Sequence, residues 1–160
     1  MRYYTGALFI LLVLCISCKE EVEEPFCTNG SCAYEFLNNS QIEISWISQH
    51  GYFVEIVDGD KQVFKRTYNY QDSPNIVDDE LTEILLFELE RDVSSFKFTD
   101  EELTQANVLF ARFCECFPGY RNVNSGTLEG TKTVNGTWRI KADLQVSSAV
   151  GPLKFEASFE

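Results

Sequence analysis

The sequence predicts a mainly β fold: an antiparallel meander forming a β-sandwich or an up-and-down barrel of calycin-like form, with one short helix near 100–106. Three observations carry this. Apolar and polar residues alternate with a period of two through most of the chain beyond residue 27, as half-buried strands require. Clusters of Asn, Asp, Ser and Gly interrupt the alternation at hairpin spacing. The alternating strand and helix patterns of a parallel α/β sheet do not occur.

In chain order, short strands are expected at 33–37, 41–48, 52–57 and 62–70, separated by Asn38-Asn39-Ser40, Gln49-His50-Gly51 and Asp58-Gly59-Asp60. Each separator is rich in residues that tolerate turn dihedrals. A polar loop with Pro74 and Asp78-Asp79-Glu80 follows. Over 81–90, Leu85, Phe87 and Leu89 alternate as in a strand, although Glu, Leu and Arg also favour helix; a strand is expected. Thr99-Asp100-Glu101-Glu102 has the form of a capping box. The helix it opens either runs on through Leu103, Ala106, Phe110 and Phe113, or ends near Ala106 and gives way to a strand over 108–117; the second reading is preferred. Asn135-Gly136 is a hairpin turn between a strand at 126–134 and a strand at 137–147. The last strand, 153–160, alternates Leu153, Phe155, Ala157 and Phe159 with Lys154, Glu156, Ser158 and Glu160. Eight to ten strands with mostly short links result.

The N-terminus has a different character. Met1-Arg2 precedes an apolar run from Ala7 to Ile16, and Ser17-Cys18 follows. A positive end, an apolar stretch of roughly 10 residues and a small residue before a cut make a secretory signal. The run is shorter than the about 20 residues a membrane-spanning helix needs. These residues resemble the lipobox of bacterial lipoproteins, with a departure at Cys15, where leucine is usual. The resemblance implies that 1–17 is a signal peptide and that Cys18 is diacylated and becomes the new first residue. Cys18-Lys19-Glu20-Glu21 further resembles the export signal of Bacteroidota lipoproteins, in which Lys19, Glu20 and Glu21 would direct the chain to the outer face of the outer membrane. Residues 18–26 then form a lipidated acidic tether, too poor in apolar surface to fold, and 27–160 a single β-rich domain. The run from Arg112 to Tyr120, followed by Ser125-Gly126-Thr127-Leu128, loosely resembles uncharacterised lipoproteins of the same group and implies no activity.

Cysteine chemistry fits an oxidising compartment. With Cys15 removed and Cys18 lipidated, Cys27, Cys32, Cys114 and Cys116 remain as disulfide candidates. Cys114 and Cys116, on one face of a strand, would each reach a partner in the N-terminal segment, closing long loops. The competing arrangement bridges Cys27 to Cys32 across Thr28-Asn29-Gly30-Ser31. Neither pair has the spacing of a zinc knuckle, and no metal or cofactor is expected.

The formal charge of -12 and the lack of clustered Lys and Arg argue against nucleic acid as a partner. A hydrolase would need a base, and His50, the one histidine, lies in an expected turn with no Gly-x-Ser-x-Gly elbow in the chain. Asp72, Asp78, Asp79 and Glu80 offer oxygen ligands for calcium, but without EF-hand order they read as a solvated loop. Tyr52, Phe64, Tyr68 and Tyr70 on neighbouring strands are either a stacking platform or core, with core preferred. The expectation is a lipid-anchored, surface-exposed envelope protein of the outer membrane, acting as a non-catalytic binding or accessory module for an envelope protein or a glycan. The alternatives are a glycan-cleaving enzyme using paired carboxylates and a carrier of a small hydrophobic ligand in a barrel.

Overall fold

The segment Ile84-Leu85-Leu86-Phe87 is apolar at four successive positions, and a strand apolar on both faces has to be covered on both. The rest of the architecture supplies those covers. A computed structural model describes residues 27–46, 51–71, 81–113, 119–147 and 151–160. These form β1 (Gly30–Trp46), β2 (Tyr52–Tyr70), β3 (Thr82–Glu90), β4 (Ser95–Thr99), a 3-10 helix (Asp100–Ala106), β5 (Leu109–Phe113), β6 (Arg121–Asn122), β7 (Gly126–Lys132), β8 (Trp138–Ser147) and β9 (Gly151–Phe159). One antiparallel sheet has the order β1-β2-β3-β5-β6 and the other β4-β7-β8-β9. The two sheets pack as a sandwich and no barrel closes, because the chain changes sheet between β3 and β4, returns for β5, and leaves again after β6.

Between the sheets lies an aromatic core. Phe64 stacks on Phe87 at 4.7 Å between ring centroids, and meets Trp138 and Phe159 of the opposite sheet edge-on at 5.4 and 5.7 Å. Gly130 makes room for one of these rings: a Cβ there would come within 2.9 Å of Phe96 Cζ. Burying rings of this size contributes about 2 to 3 kcal/mol each, before the cost of ordering them. The buried Gln62 closes one end of the core, accepting from the Trp138 indole N–H at 3.3 Å and donating to the Glu90 and Arg91 carbonyls at 3.1 and 2.5 Å.

The other face of the first sheet is covered by the sheet's own longest hairpin. Sequence suggests four strands over 33–70; the structure has two, each bent. Asn38-Asn39-Ser40 and Asp58-Gly59-Asp60 are not turns between strands but two sides of one irregularity, where the β1–β2 register shifts around Ser40 and Asn39 adopts φ 57°. Beyond it, the hairpin tip presents Ile42, Val54 and Ile56 to Val63, Leu86 and Leu109 on the sheet's outer face, with Tyr52 and Tyr120 alongside. Backbone bonds between Tyr52 and Tyr120, at 2.9 and 3.0 Å, fasten the tip. The buried carboxylate of Glu88 fastens the bend, accepting from the Ile42 N–H at 2.8 Å, Lys61 Nζ at 2.7 Å and Asn107 Nδ2 at 2.5 Å.

The ambiguous segment 81–90 is a strand, and the helix after Thr99 ends at Ala106 and gives way to a strand over Leu109–Phe113; the second reading of the sequence holds to that point, its remainder at 114–117 lying outside the described residues. Asn107 adopts the left-handed conformation that stops it. The Glu102 carboxylate accepts from both the N–H and the hydroxyl of Thr99, at 3.0 and 2.9 Å.

Two predictions concern this cover. Glu88→Ala leaves the Ile42 N–H without its acceptor and should destabilise the fold by about 2 to 3 kcal/mol. Hydrogen exchange should then accelerate at 41–57 before it does in β8 and β9; uniform acceleration would contradict the clasp. Burial pushes the Tyr120 phenol up from 10.0 to about 12. The folded chain therefore keeps this proton after the unfolded chain has lost it, so stability is full below pH 10.0 and declines as pH rises towards about 12. Lys61, raised by its hydrogen bond to Glu88, acts in the same direction. Denaturation at neutral and alkaline pH should show Tyr120→Phe losing less stability with pH than the parent.

Candidate functional site

Inward-facing residues of β2 alternate along the strand as Gln62, Phe64, Arg66 and Tyr68, so two polar side chains flank the central phenylalanine. Gln62 is fully used, as described. Arg66 is not. It is 2% exposed, and its Nε and Nη1 are buried without a hydrogen-bond partner. Its Nη2 donates to Cys32 Sγ at 3.4 Å, and the guanidinium lies 5.7 Å from the Tyr68 ring centroid and 5.4 Å from that of Phe155.

Magnitudes distinguish a structural stack from a binding group here. Removing a guanidinium from water costs several kcal/mol even after relaxation. Cation–π contacts return about 0.5 to 2 kcal/mol each, and a bond to a disulfide sulfur adds little. Among the described residues, then, the arginine is held at a net cost, with no counter-charge against it.

The strand register builds a pocket around it. Cys32, Tyr68, Glu83 and Arg112 are cross-strand neighbours in one row on β1, β2, β3 and β5. This row lies at the end of the sandwich opposite Gln62. With Thr28 and the start of β9 at Pro152, Leu153 and Lys154, three members of the row and Arg66 enclose about 330 Å³. Arg112 donates to Glu83 from Nε at 2.9 Å and from Nη2 at 2.5 Å, and both bonds end on Oε1. Lys154 is paired outward with Asp143 at 2.8 Å. Among the described residues, the charge left without a partner at the pocket is that of Arg66.

The N-terminal loop forms the pocket's rim. Cys27 and Cys32 are joined by a disulfide with Cα atoms 5.9 Å apart, so the local arrangement is the one adopted and neither cysteine remains for Cys114 or Cys116. The short loop is accessible because Asn29 takes φ 64°, and Gly30 is needed because a Cβ there would lie 2.6 Å from the Tyr68 ring. The Tyr68 hydroxyl donates to the Thr28 carbonyl at 2.9 Å, and the Gln71 N–H donates to Asn29 O at 2.8 Å. Burial, with Glu83 nearby, raises the Tyr68 phenol.

A larger hollow of about 610 Å³ lies on the outer face of β4, β7, β8 and β9. It is crossed by the register row Lys97, Glu129, Lys141 and Glu156. Opposite charges there already face one another: Lys97 donates to Glu129 at 2.9 Å and holds that carboxyl below its usual range. The row is a cross-strand ladder on a wet face. The smaller pocket is the candidate site because its charge is unspent.

No family model, curated protein or solved structure matches the chain. The site therefore stands on its geometry. Of the residues singled out from sequence, the structure places Tyr68 in the pocket wall, Cys32 next to it in the same register row, and Phe64 in the core. Tyr52 belongs to the hairpin and packs against the cluster on the sheet's outer face, and Tyr70 is 40% exposed outside the pocket. Cys18, Lys19, Glu20, Glu21, Cys114, Cys116, His50 and the acids Asp72, Asp78, Asp79 and Glu80 lie outside the described residues. Sequence reasoning missed Arg66, Glu83 and Arg112. A signal existed for Arg66: it shares parity with Phe64 and Tyr68, which puts a charge on the face a core strand keeps apolar.

Changing Cys27 and Cys32 together to serine should destabilise the chain by about 2 kcal/mol, the loop-entropy value for so short a closure, as measured in urea. An unchanged denaturation midpoint would remove the disulfide from the rim's support.

Proposed function

We propose that this chain is an exported lipoprotein of the cell envelope, anchored through Cys18 and acting as a non-catalytic binding or accessory module at the cell surface. The Cys27–Cys32 disulfide is the observation that carries the reading, because such bonds persist in oxidising compartments. It closes shortly after the lipobox-like Ser17-Cys18 and the acidic Lys19-Glu20-Glu21. The folded strands thus begin just beyond a segment composed as a tether, and two or more acyl chains give the stable hold that a single chain does not. A pocket with an unspent arginine supports binding as the task of the domain. The carrier reading draws less support, since the space between the sheets is filled by Phe64, Phe87, Trp138 and Phe159.

The anchor is tested by expressing the full chain and its Cys18→Ala variant in a diderm bacterium with a labelled fatty acid. The parent should take up label and stay with membranes through alkaline extraction, and the variant should do neither. A variant that remains membrane-bound would defeat the reading. Changing Glu20 and Glu21 to alanine should keep the label while lowering accessibility to external protease.

A further inference from the structure

We infer that the pocket at Arg66 binds a small ring-sized acid carrying one carboxylate and several hydroxyls, of the uronic acid class. The inference rests on the binding-module reading and names its ligand.

The charge is set first. Among the described residues, Glu83 and Arg112 neutralise each other, Lys154 is paired with Asp143, and Arg66 is left with one positive charge and buried N–H donors on Nε and Nη1. One negative charge balances the site. A planar carboxylate suits the guanidinium fork, whereas a dianionic phosphate would bring a second charge against Glu83.

The remaining walls suit a hydroxylated ring. Because both Arg112 bonds end on Glu83 Oε1, Oε2 remains an acceptor for a hydroxyl. Tyr68, half-buried, offers an aromatic side, and Pro152 and Leu153 an apolar one. Aromatic rings with a few fixed polar groups are the usual lining of small-molecule sites, and about 330 Å³ lies at the small end of their range.

The test is calorimetric titration of the full chain in nonionic detergent with glucuronate, glucose and glucose 6-phosphate. Glucuronate should bind, glucose should not, and the phosphate ester should bind at least about 10-fold more weakly, corresponding to about 1.4 kcal/mol. Arg66→Met, which keeps length and removes charge, should weaken glucuronate by at least about 10-fold. The same variant should melt no lower than the parent, since it removes a buried charge without removing a hydrogen-bonded pair. A lower melting temperature with glucuronate binding intact would make Arg66 structural and overturn the inference. So would no binding by the parent, or equal binding of the phosphate ester. Exchange mass spectrometry on the parent gives a check that needs no variant: glucuronate should protect the segments around Thr28–Cys32 and Gly151–Lys154, and protection only elsewhere would refute the site. All of these measurements are independent of whether Cys18 carries lipid, so their failure leaves the anchor to its own test.

Discussion

A sheet that is apolar on both faces constrains everything built around it. The second sheet satisfies one face in the ordinary way of sandwiches. On the other, the β1–β2 hairpin turns back over its own sheet, so strands begun in one layer end in another. Covering Val63, Leu86 and Leu109 with Ile42, Val54 and Ile56 gains about 1.5 to 3 kcal/mol for each side chain fully buried. A register irregularity and one residue in the left-handed region cost of order 1 to 3 kcal/mol, so the bend is favourable overall. Glu88 then solves a local problem. Ile42 stays in register with Ile56 while its N–H is accepted by a carboxylate reaching from the sheet below, with Lys61 and Asn107 completing that carboxylate's own needs.

How much of this was legible depends on what each strand faces. β8 and β9 have one wet face, so Trp138, Ile140, Ala142 and Leu144, and then Leu153, Phe155, Ala157 and Phe159, stood out as alternations. β3 faces protein on both sides, and its alternation is blurred by Ile84 and Leu86, the residues that call for the folded-back hairpin. Asn38-Asn39-Ser40 and Asp58-Gly59-Asp60 were recognised as breaks but not as a matched pair. The residues that permit a reversal also permit a bulge, and only the register between two strands distinguishes them. Sandwich and barrel share strand patterns, and the choice lies in which strands bond, which no single strand encodes.

The same dependence on register hid the pocket. Lys65-Arg66 presents two adjacent cations, and strand geometry turns one outward and the other inward. Lys65 pairs with Glu35 at 2.8 Å on the outer face, while Arg66 enters the sandwich. Glu83 and Arg112 became neighbours only through the pairing of β3 with β5, across a crossover to the other sheet and back. Cys32 had a visible chemistry but three plausible partners, Cys27, Cys114 and Cys116. The nearest one prevails because Asn29 can adopt a positive φ, letting the chain return within a short loop.

The chain's overall charge then shapes what such a pocket can select. At a net formal charge of -12 the molecule repels anions at long range. At physiological salt that repulsion is screened beyond about 8 Å, whereas a buried guanidinium is screened far less. An anion therefore receives no general attraction from this surface and has to be recognised by contact. The pocket would reject simple ions that offer only charge and retain a ligand whose carboxylate, hydroxyls and ring each meet a wall. Polar groups are satisfied at the Gln62 end, while at the Arg66 end Nε and Nη1 have no partner among the described residues, so one strand sets two different polar environments at the two ends of the core.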